Sequence, residues 1–255
     1  MNHDRTDSRI PSVCRPGDIT HFVTTRVGGV SRPPYGTLNL GFGTKDNPAH
    51  VLENRKILSR SIHVPLGDFV VGKQVHGDRI AIVAESVKGR GAFGYDTALD
   101  ATDALITDTP GICLMVLLAD CVPILFYDPV RRVVGAAHAG WKGTVRLIGR
   151  KVVQAMGTSF GCAPSDVLAG IGPSIGPCCY EVGPEVISQV EDDLVDDRNH
   201  LNLWEANRRQ LMEAGLLAGN IEVAGICTLC NADRFFSERH TSGTGRFGAG
   251  IALSR

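Results

Sequence analysis

The chain has 255 residues, with 26 Lys and Arg against 27 Asp and Glu, for a formal net charge of −1. At 43% apolar and 21% charged residues it has ample material for a buried core and is neither a disordered chain nor a long coiled coil. So balanced a charge gives no general pull toward a phosphate backbone or anionic lipid, which argues against nucleic-acid and membrane partners.

Residues 1–17 read as a loose lead-in and 18–255 as one catalytic domain, because no composition break or repeat divides the rest. The opening MNHDRTDSRIPSVCRPGD is too polar for a secretory signal. The longest apolar stretch, 111–127, contains Asp120 and Pro123 and falls short of the ~20 residues of a membrane helix. The expectation is a soluble cytoplasmic protein whose eight cysteines are reduced thiols or metal ligands. No strong interface stripe stands out, which favours a monomer. The 30 glycines cluster beside charged residues and histidines, the pattern of an enzyme whose backbone approaches a ligand closely.

In chain order, 21–25 reads as a first strand, followed by the glycine turn RVGGVS with Arg26 at its start. Asn47 and Pro48 supply a helix cap and first turn, with Val51, Leu58 and Ile62 on one face as far as His63. Strands are expected over 69–75 and 80–84, which leaves His76 at the turn between them. Four further strands, 102–107, 112–118, 122–127 and 133–137, are apolar on both faces, so something must cover both sides. One helix is expected over 142–156, ending at Gly157, where Val145, Ile148, Val152 and Met156 form the apolar stripe. A strand over 167–171, a Gly-Pro-Cys loop, helices over 185–194 and 205–217 and a strand over 222–228 complete the pattern. The elements interleave without strict βαβ alternation, so the fold class is α+β, with mixed, largely buried β-sheets flanked by helices, not a Rossmann domain.

The stretch 119–143 carries the chemistry. If residues 128–131 form a hairpin loop, Tyr127 faces Arg132 and, further down the ladder, Cys121 faces His138, with Cβ atoms about 4.5–5.5 Å apart. A thiolate and an imidazole at that separation can share a zinc ion or act as nucleophile and base. A lone strand cysteine is most often inert packing. Here, however, Asp120 puts a carboxylate in an apolar run, where it is costly without a partner, and Gly135, Gly140 and Gly143 leave space around His138. The helix start at GWKGT, with Lys142 and Arg146 on its first turns, suits an anion. His76 alone is ambiguous. Cys178 and Cys179 are reactive or packing residues, Cys227 and Cys230 have CxxC spacing without a second pair to complete a zinc knuckle and are read as structural, and the loop around Arg246 has only a weak anion-contacting look.

The segments TTRVGGVS (24–31), GTLNLG (36–41), ENRKIL (53–58), KQVHGD (73–78), DALIT (103–107), ADCVPIL (119–125), AAHAGWKGT (136–144), IGPSIGPCCYEVG (171–183), ANRRQL (206–211) and FFSER…TGR (235–246) run in family order. Together they resemble the YfiH-like family, whose members carry the labels laccase-domain protein, polyphenol oxidase, peptidoglycan editing factor and purine nucleoside phosphorylase. The resemblance implies a YfiH-like, cysteine-hydrolase-like three-layer fold and one zinc ion held by His76, Cys121 and His138, with a fourth position open to water or substrate. It implies phosphorolysis of adenosine, inosine, guanosine or methylthioadenosine, and hydrolytic deamination of adenosine. His76, Cys121, His138 and Asp120 are then the candidate catalytic residues, and Arg26, Gln74, Lys142 and Arg146 the candidates for holding substrate and phosphate. Leu118 stands where the family usually has Thr, and Glu238 where it commonly has Tyr.

Three other readings remain open. A metal-free cysteine amidase acting in peptidoglycan editing would use Cys121 as nucleophile and His138 as base. A copper phenol oxidase would match the older label, although no His-x-His pair is present. A zinc-stabilised binding module would need a fourth protein ligand, and none stands out in the sequence, with Cys179 left open.

Overall fold

A computed structural model describes residues 17–255; of the lead-in read over 1–17, all but Gly17 lies outside the described residues, as does Cys14. In chain order the strands are β1 (Ile19–Val23), β2 (Phe69–Val71), β3 (Ile80–Ile82), β4 (Ala104–Thr107), β5 (Cys113–Leu118), β6 (Val122–Asp128), β7 (Val133–Ala139), β8 (Leu168–Ile171), β9 (Ile221–Val223) and β10 (Phe247–Leu253). The helices are α1 (Pro48–Ser61), α2 (Trp141–Val145), α3 (Ile148–Phe160), α4 (Pro184–Ile187) and α5 (Leu203–Glu213). None is long and apolar enough to cross a membrane.

Two mixed sheets form, one in the order β1-β10-β5-β2 and one in the order β3-β4-β7-β6-β8-β9. Their doubly apolar strands bury both faces because the sheets stack on each other and carry helices outside. On β5, Leu114, Val116 and Leu118 face the space between the sheets, together with Leu125 and Tyr127 of β6 and Val134 and Ala136 of β7. The alternate β5 residues Cys113 and Met115 face the α1 side with Leu58. On the other sheet, Ile124, Phe126, Val133 and Ala137 meet Val152 and Met156 of α3 and Leu211 of α5. The α+β class with mixed, buried sheets therefore holds. The layers run helix, sheet, sheet, helix, one more than the three-layer expectation, with an apolar interior between each pair.

Several local expectations change. The β6–β7 ladder pairs Tyr127 with Val134 and Pro123 with His138, two residues away from the expected register. Asp128 belongs to the ladder, opposite Val133, and its Oδ1 accepts the amides of Val130 and Arg131, so the loop begins one residue later than expected. The single helix over 142–156 is two helices, because Leu147 takes a left-handed conformation at φ 62°. There the Thr144 carbonyl accepts Leu147 N–H and the Gln210 side-chain amide. α3 also continues past Gly157 to Phe160 and stops at Gly161, a left-handed cap. The helix over 185–194 shrinks to α4 and a short 3-10 turn at Asp192–Leu194, and the strand over 69–75 stops at Val71. β10 has no counterpart in the sequence reading.

One feature of the topology positions the site. β2 and β5 are parallel neighbours in the first sheet, and the chain leaves both at the same end. From β2 it continues to β3, and from β5 to β6, each in the second sheet. Two crossings from sheet to sheet thus lie side by side. His76 lies on one crossing and Cys121 on the other.

Candidate metal centre and cavity

His76, Cys121 and His138 each aim one donor atom at a common point, and the three atoms lie within 4.8 Å of one another. His138 sits on β7 opposite Pro123 and is 3% exposed. The two-residue displacement of the ladder leaves Cys121 on the face of β6 that His138 shares, since side chains alternate with a period of two. The rings of His76 and His138 meet edge to face with centroids 5.0 Å apart.

Asp103, immediately before β4, organises the centre. Its Oδ1 lies 2.9 Å from His138 Nδ1 and accepts the His76 amide, while Oδ2 accepts the amides of Val75 and Gly77. A carboxylate on Nδ1 leaves Nε2 of His138 as the nitrogen free to hold a metal, and such a partner fixes the tautomer and orientation of a histidine ligand. The same carboxylate gathers the tight turn in which His76 adopts φ 56°. Asp103 opens the DALIT segment, and no motif there marks its role. The available signal was a carboxylate at the head of a fully apolar strand, where it is costly without partners.

Burial opposes ionisation of Cys121, but the charge of His138 and hydrogen bonds from His138 and His76 outweigh it and bring the thiol down to about 6. Burial pushes His138 the other way, yet the Cys121 charge and the Asp103 hydrogen bond raise it to about 9. For Asp103 itself, burial favours the neutral acid, but His138 and the turn amides prevail and hold it below the ordinary carboxylate value. Without metal, the centre is therefore a thiolate–imidazolium pair backed by a carboxylate.

The residues fit a metal ion. The thiol ionises readily, and both imidazoles converge on it. Gly140 provides the room: a Cβ built there would lie 2.9 Å from Cys121 Sγ and 3.2 Å from His76 Cδ2. Gly143 likewise borders the His138 backbone, whereas Gly135 packs against Ile106 and Phe126, away from the centre.

The centre forms part of the wall of a cavity of about 330 Å³ that also includes Phe42, Gln74, Tyr95, Glu238 and Arg246. That lies near the lower end of the roughly 300–1,000 Å³ usual for small-ligand sites. Arg246 donates through Nη1 to the carbonyls of Thr244 and Gly245 and lies 3.1 Å from Glu238 Oε2. Glu238 Oε2 is buried and receives no hydrogen bond.

The other expected site residues are placed differently. Gln74 lines the cavity, but both ends of its amide are bound to the Leu117 backbone. Arg26 lies outside the cavity lining, donating to the carbonyls of Gly36 and Ala232 and stacking on Phe236. Lys142 and Arg146 are exposed at the two ends of α2, and neither lines the cavity. Asp120 does not line the cavity: its carboxylate accepts the Thr228 hydroxyl and the Arg239 amide, and it adopts φ 83° next to Cys121. Arg246, in a loop with only a weak anion-contacting look in the sequence, is one of two arginines in the cavity lining; the other, Arg55, has its guanidinium bound to the carbonyls of Leu40, Gly91 and Ala92.

A family model described as multi-copper polyphenol oxidoreductase laccase matches residues 20–254. A Bacillus subtilis protein named purine nucleoside phosphorylase YlmD is 40% identical over 241 residues, covering 90% of this chain and 87% of its own. A protein from an unknown prokaryotic organism, named adenosine deaminase RL5, is 35% identical over 245 residues, covering 91% and 93%. The crystal structure of the hypothetical protein YfiH from Bacillus licheniformis superposes with a TM-score of 0.88 at 42% identity, covering 92% of this chain and 93% of that one.

Proposed function

This chain belongs to the family described as multi-copper polyphenol oxidoreductase laccase, and on that footing we propose that it is a zinc-dependent purine nucleoside phosphorylase that also deaminates adenosine. The observation that carries the reading is a three-donor centre, His76, Cys121 and His138, opening into a cavity of small-ligand size that also holds Arg246. Three protein ligands with an open corner are the pattern of catalytic zinc.

Zinc held there would supply a Lewis acid and a water acidified toward neutrality. The chain supplies the rest. Asp103 fixes the tautomer and tilt of His138 and the backbone that carries His76. Phe42 and Tyr95 offer apolar surface to a planar base. Glu238 Oε2, buried 3.1 Å from Arg246 Nη1 and accepting no hydrogen bond, has acceptor capacity for a ribose hydroxyl. Arg246 suits phosphate through charge-assisted hydrogen bonds. In phosphorolysis, a phosphate oxygen bonds to C1′ while the bond from C1′ to the purine breaks; the electron pair leaves with the base, which takes up a proton. In deamination, water adds at C6 and ammonia departs.

Two imidazoles and a thiolate are also the equatorial donors of blue copper. Laccase chemistry needs several clustered copper ions, however, and among the described residues this is the one potential metal-binding group that contains histidine. The test uses protein of verified metal content, incubated with inosine and phosphate, and separately with adenosine. The expected products are free base with ribose 1-phosphate, and inosine with ammonia. No product from either nucleoside at full zinc occupancy overturns the reading.

A further inference from the structure

The fold also assembles a second group of soft donors. Cys178, Cys179, Cys227 and Cys230 bring four Sγ atoms within 4.8 Å of one another. Two come from the Gly-Pro-Cys loop and two from the loop after β9, some fifty residues on. Cys178 Sγ lies 3.6 Å from Cys230 Sγ, and Cys179 Sγ lies 3.4 Å from it. At a Zn–S distance of about 2.3 Å, four sulfurs on a regular tetrahedron are about 3.8 Å apart, so these spacings are close to those of an S4 site.

The supporting backbone is built to hold the thiols in place. Ser174 pairs with Cys227 in a parallel bridge, through Ser174 N–H to the Ile226 carbonyl and Thr228 N–H to the Ser174 carbonyl. Gly176 N–H donates to Cys227 Sγ at 3.3 Å, an interaction that stabilises a thiolate. The amides of Cys179 and Tyr180 both donate to the Gly176 carbonyl, a tight turn that presents the adjacent cysteines. On the other strand of the clamp, Asn231 donates from its backbone and side-chain nitrogens to the Cys227 carbonyl. Cys178 and Cys230 are exposed, so an ion could enter from solvent.

We propose that Cys178, Cys179, Cys227 and Cys230 form a second metal site, an S4 centre for zinc or another soft divalent cation. Binding would release the thiol protons to solvent and close the coordination shell with protein ligands, the structural class of zinc site. Its place in the fold indicates a role. Thr228, between the two cysteines of the CxxC, donates its hydroxyl to Asp120, and Ile175, on the opposing loop, donates its amide to the Asp120 carbonyl. A metal joining these loops would brace the residue next to Cys121 from behind. This inference does not depend on the nucleoside reading.

The test counts metal in protein purified under reducing conditions with zinc supplied. The wild type should hold two zinc ions per chain, and Cys178→Ser/Cys230→Ser should hold one. In His76→Ala/Cys121→Ser, which disables the first centre, cobalt(II) should still give thiolate-to-cobalt charge-transfer absorption and the d–d bands of a tetrahedral ion, and both should vanish when Cys178→Ser/Cys230→Ser is added. Equal metal content in the wild type and Cys178→Ser/Cys230→Ser would overturn the proposal. So would complete alkylation of these four cysteines in native zinc-replete protein, or disulfides joining them in freshly purified protein. Circular dichroism of each variant separates metal loss from unfolding.

Discussion

Asp103 holds His138 at two points: its carboxylate Oδ1 is 2.9 Å from the ring Nδ1, and its backbone carbonyl accepts the His138 amide at 2.8 Å. The same carboxylate collects three consecutive amides of the turn that carries His76. One residue thus fixes two of the three donors. Asp103→Asn would direct an amide NH2 at groups that are already donors. Loss of such an outer partner typically costs ~10–100-fold in metal affinity or activity. Zinc titration against a competing chelator should show a loss of that size, with Cys121 still in place.

The charge on Asp103 also sets a pH response. Its folded pKa lies below the ordinary carboxylate value because His138 and the turn amides outweigh burial. A depressed folded pKa gives stability that is present above the unfolded value and lost as pH falls through the folded one. Denaturant midpoints measured from neutral pH downward should therefore fall in the acid range below the usual carboxylate pKa. Asp103→Asn should lack that part of the slope. Identical acid slopes in the two proteins would contradict the assignment.

Cys121 gives a second pH signature. In metal-stripped protein its thiol, brought down to about 6, is largely thiolate at neutral pH. Cys113 is buried and pushed up, and burial and Asp128 raise Cys162 to about 12, so neither competes. Alkylation followed by peptide mapping should label Cys121 ahead of both, with a rate that rises through about pH 6. Zinc should protect it. Protection distinguishes a metal ligand from the free nucleophile of a cysteine amidase.

Much of this site is legible in the sequence because it depends on parity and order. The expected hairpin register was displaced by two residues, yet an even displacement keeps Cys121 and His138 on one face, so their proximity survives the error. The both-faces apolar strands likewise announce cover on two sides. What was not legible depends on long-range contact. β10 carries four small residues in FGAGIAL and is a strand because β1 and β5 pair with it on either side. Leu147 breaks a good helical stripe at a left-handed residue that no Gly or Pro marks. The cysteine pairs at 178–179 and 227–230 look incomplete separately and meet only through the pairing of Ser174 with Cys227.

Gly140 was expected to leave room, and the geometry makes that testable. An added Cβ would meet Cys121 Sγ at 2.9 Å and His76 Cδ2 at 3.2 Å, both on flexible side chains that can move aside. The fold should therefore tolerate Gly140→Ala. The displaced groups carry the donor atoms, however, so the donor triangle opens. Near-wild-type thermal unfolding with loss of zinc from this centre is the expected outcome, measured by metal analysis in the Cys178→Ser/Cys230→Ser background.

Arg246 allows the two proposed reactions to be separated. It lines the cavity with its head group 3.1 Å from Glu238, whereas neither Arg26 nor Lys142 lines it. Phosphorolysis needs an anion held beside the sugar; deamination needs only water. A hydrogen bond to a charged group contributes about 1.5–3 kcal/mol, or roughly 10–150-fold. Arg246→Ala should lower kcat/KM for phosphate by that factor and leave adenosine deamination within a few-fold of wild type. Lys142→Ala should change neither. Glu238→Gln removes the negative charge beside the proposed phosphate position and should lower the KM for phosphate. Equal losses of both activities in Arg246→Ala would mean that this guanidinium supports the cavity wall and does not hold phosphate.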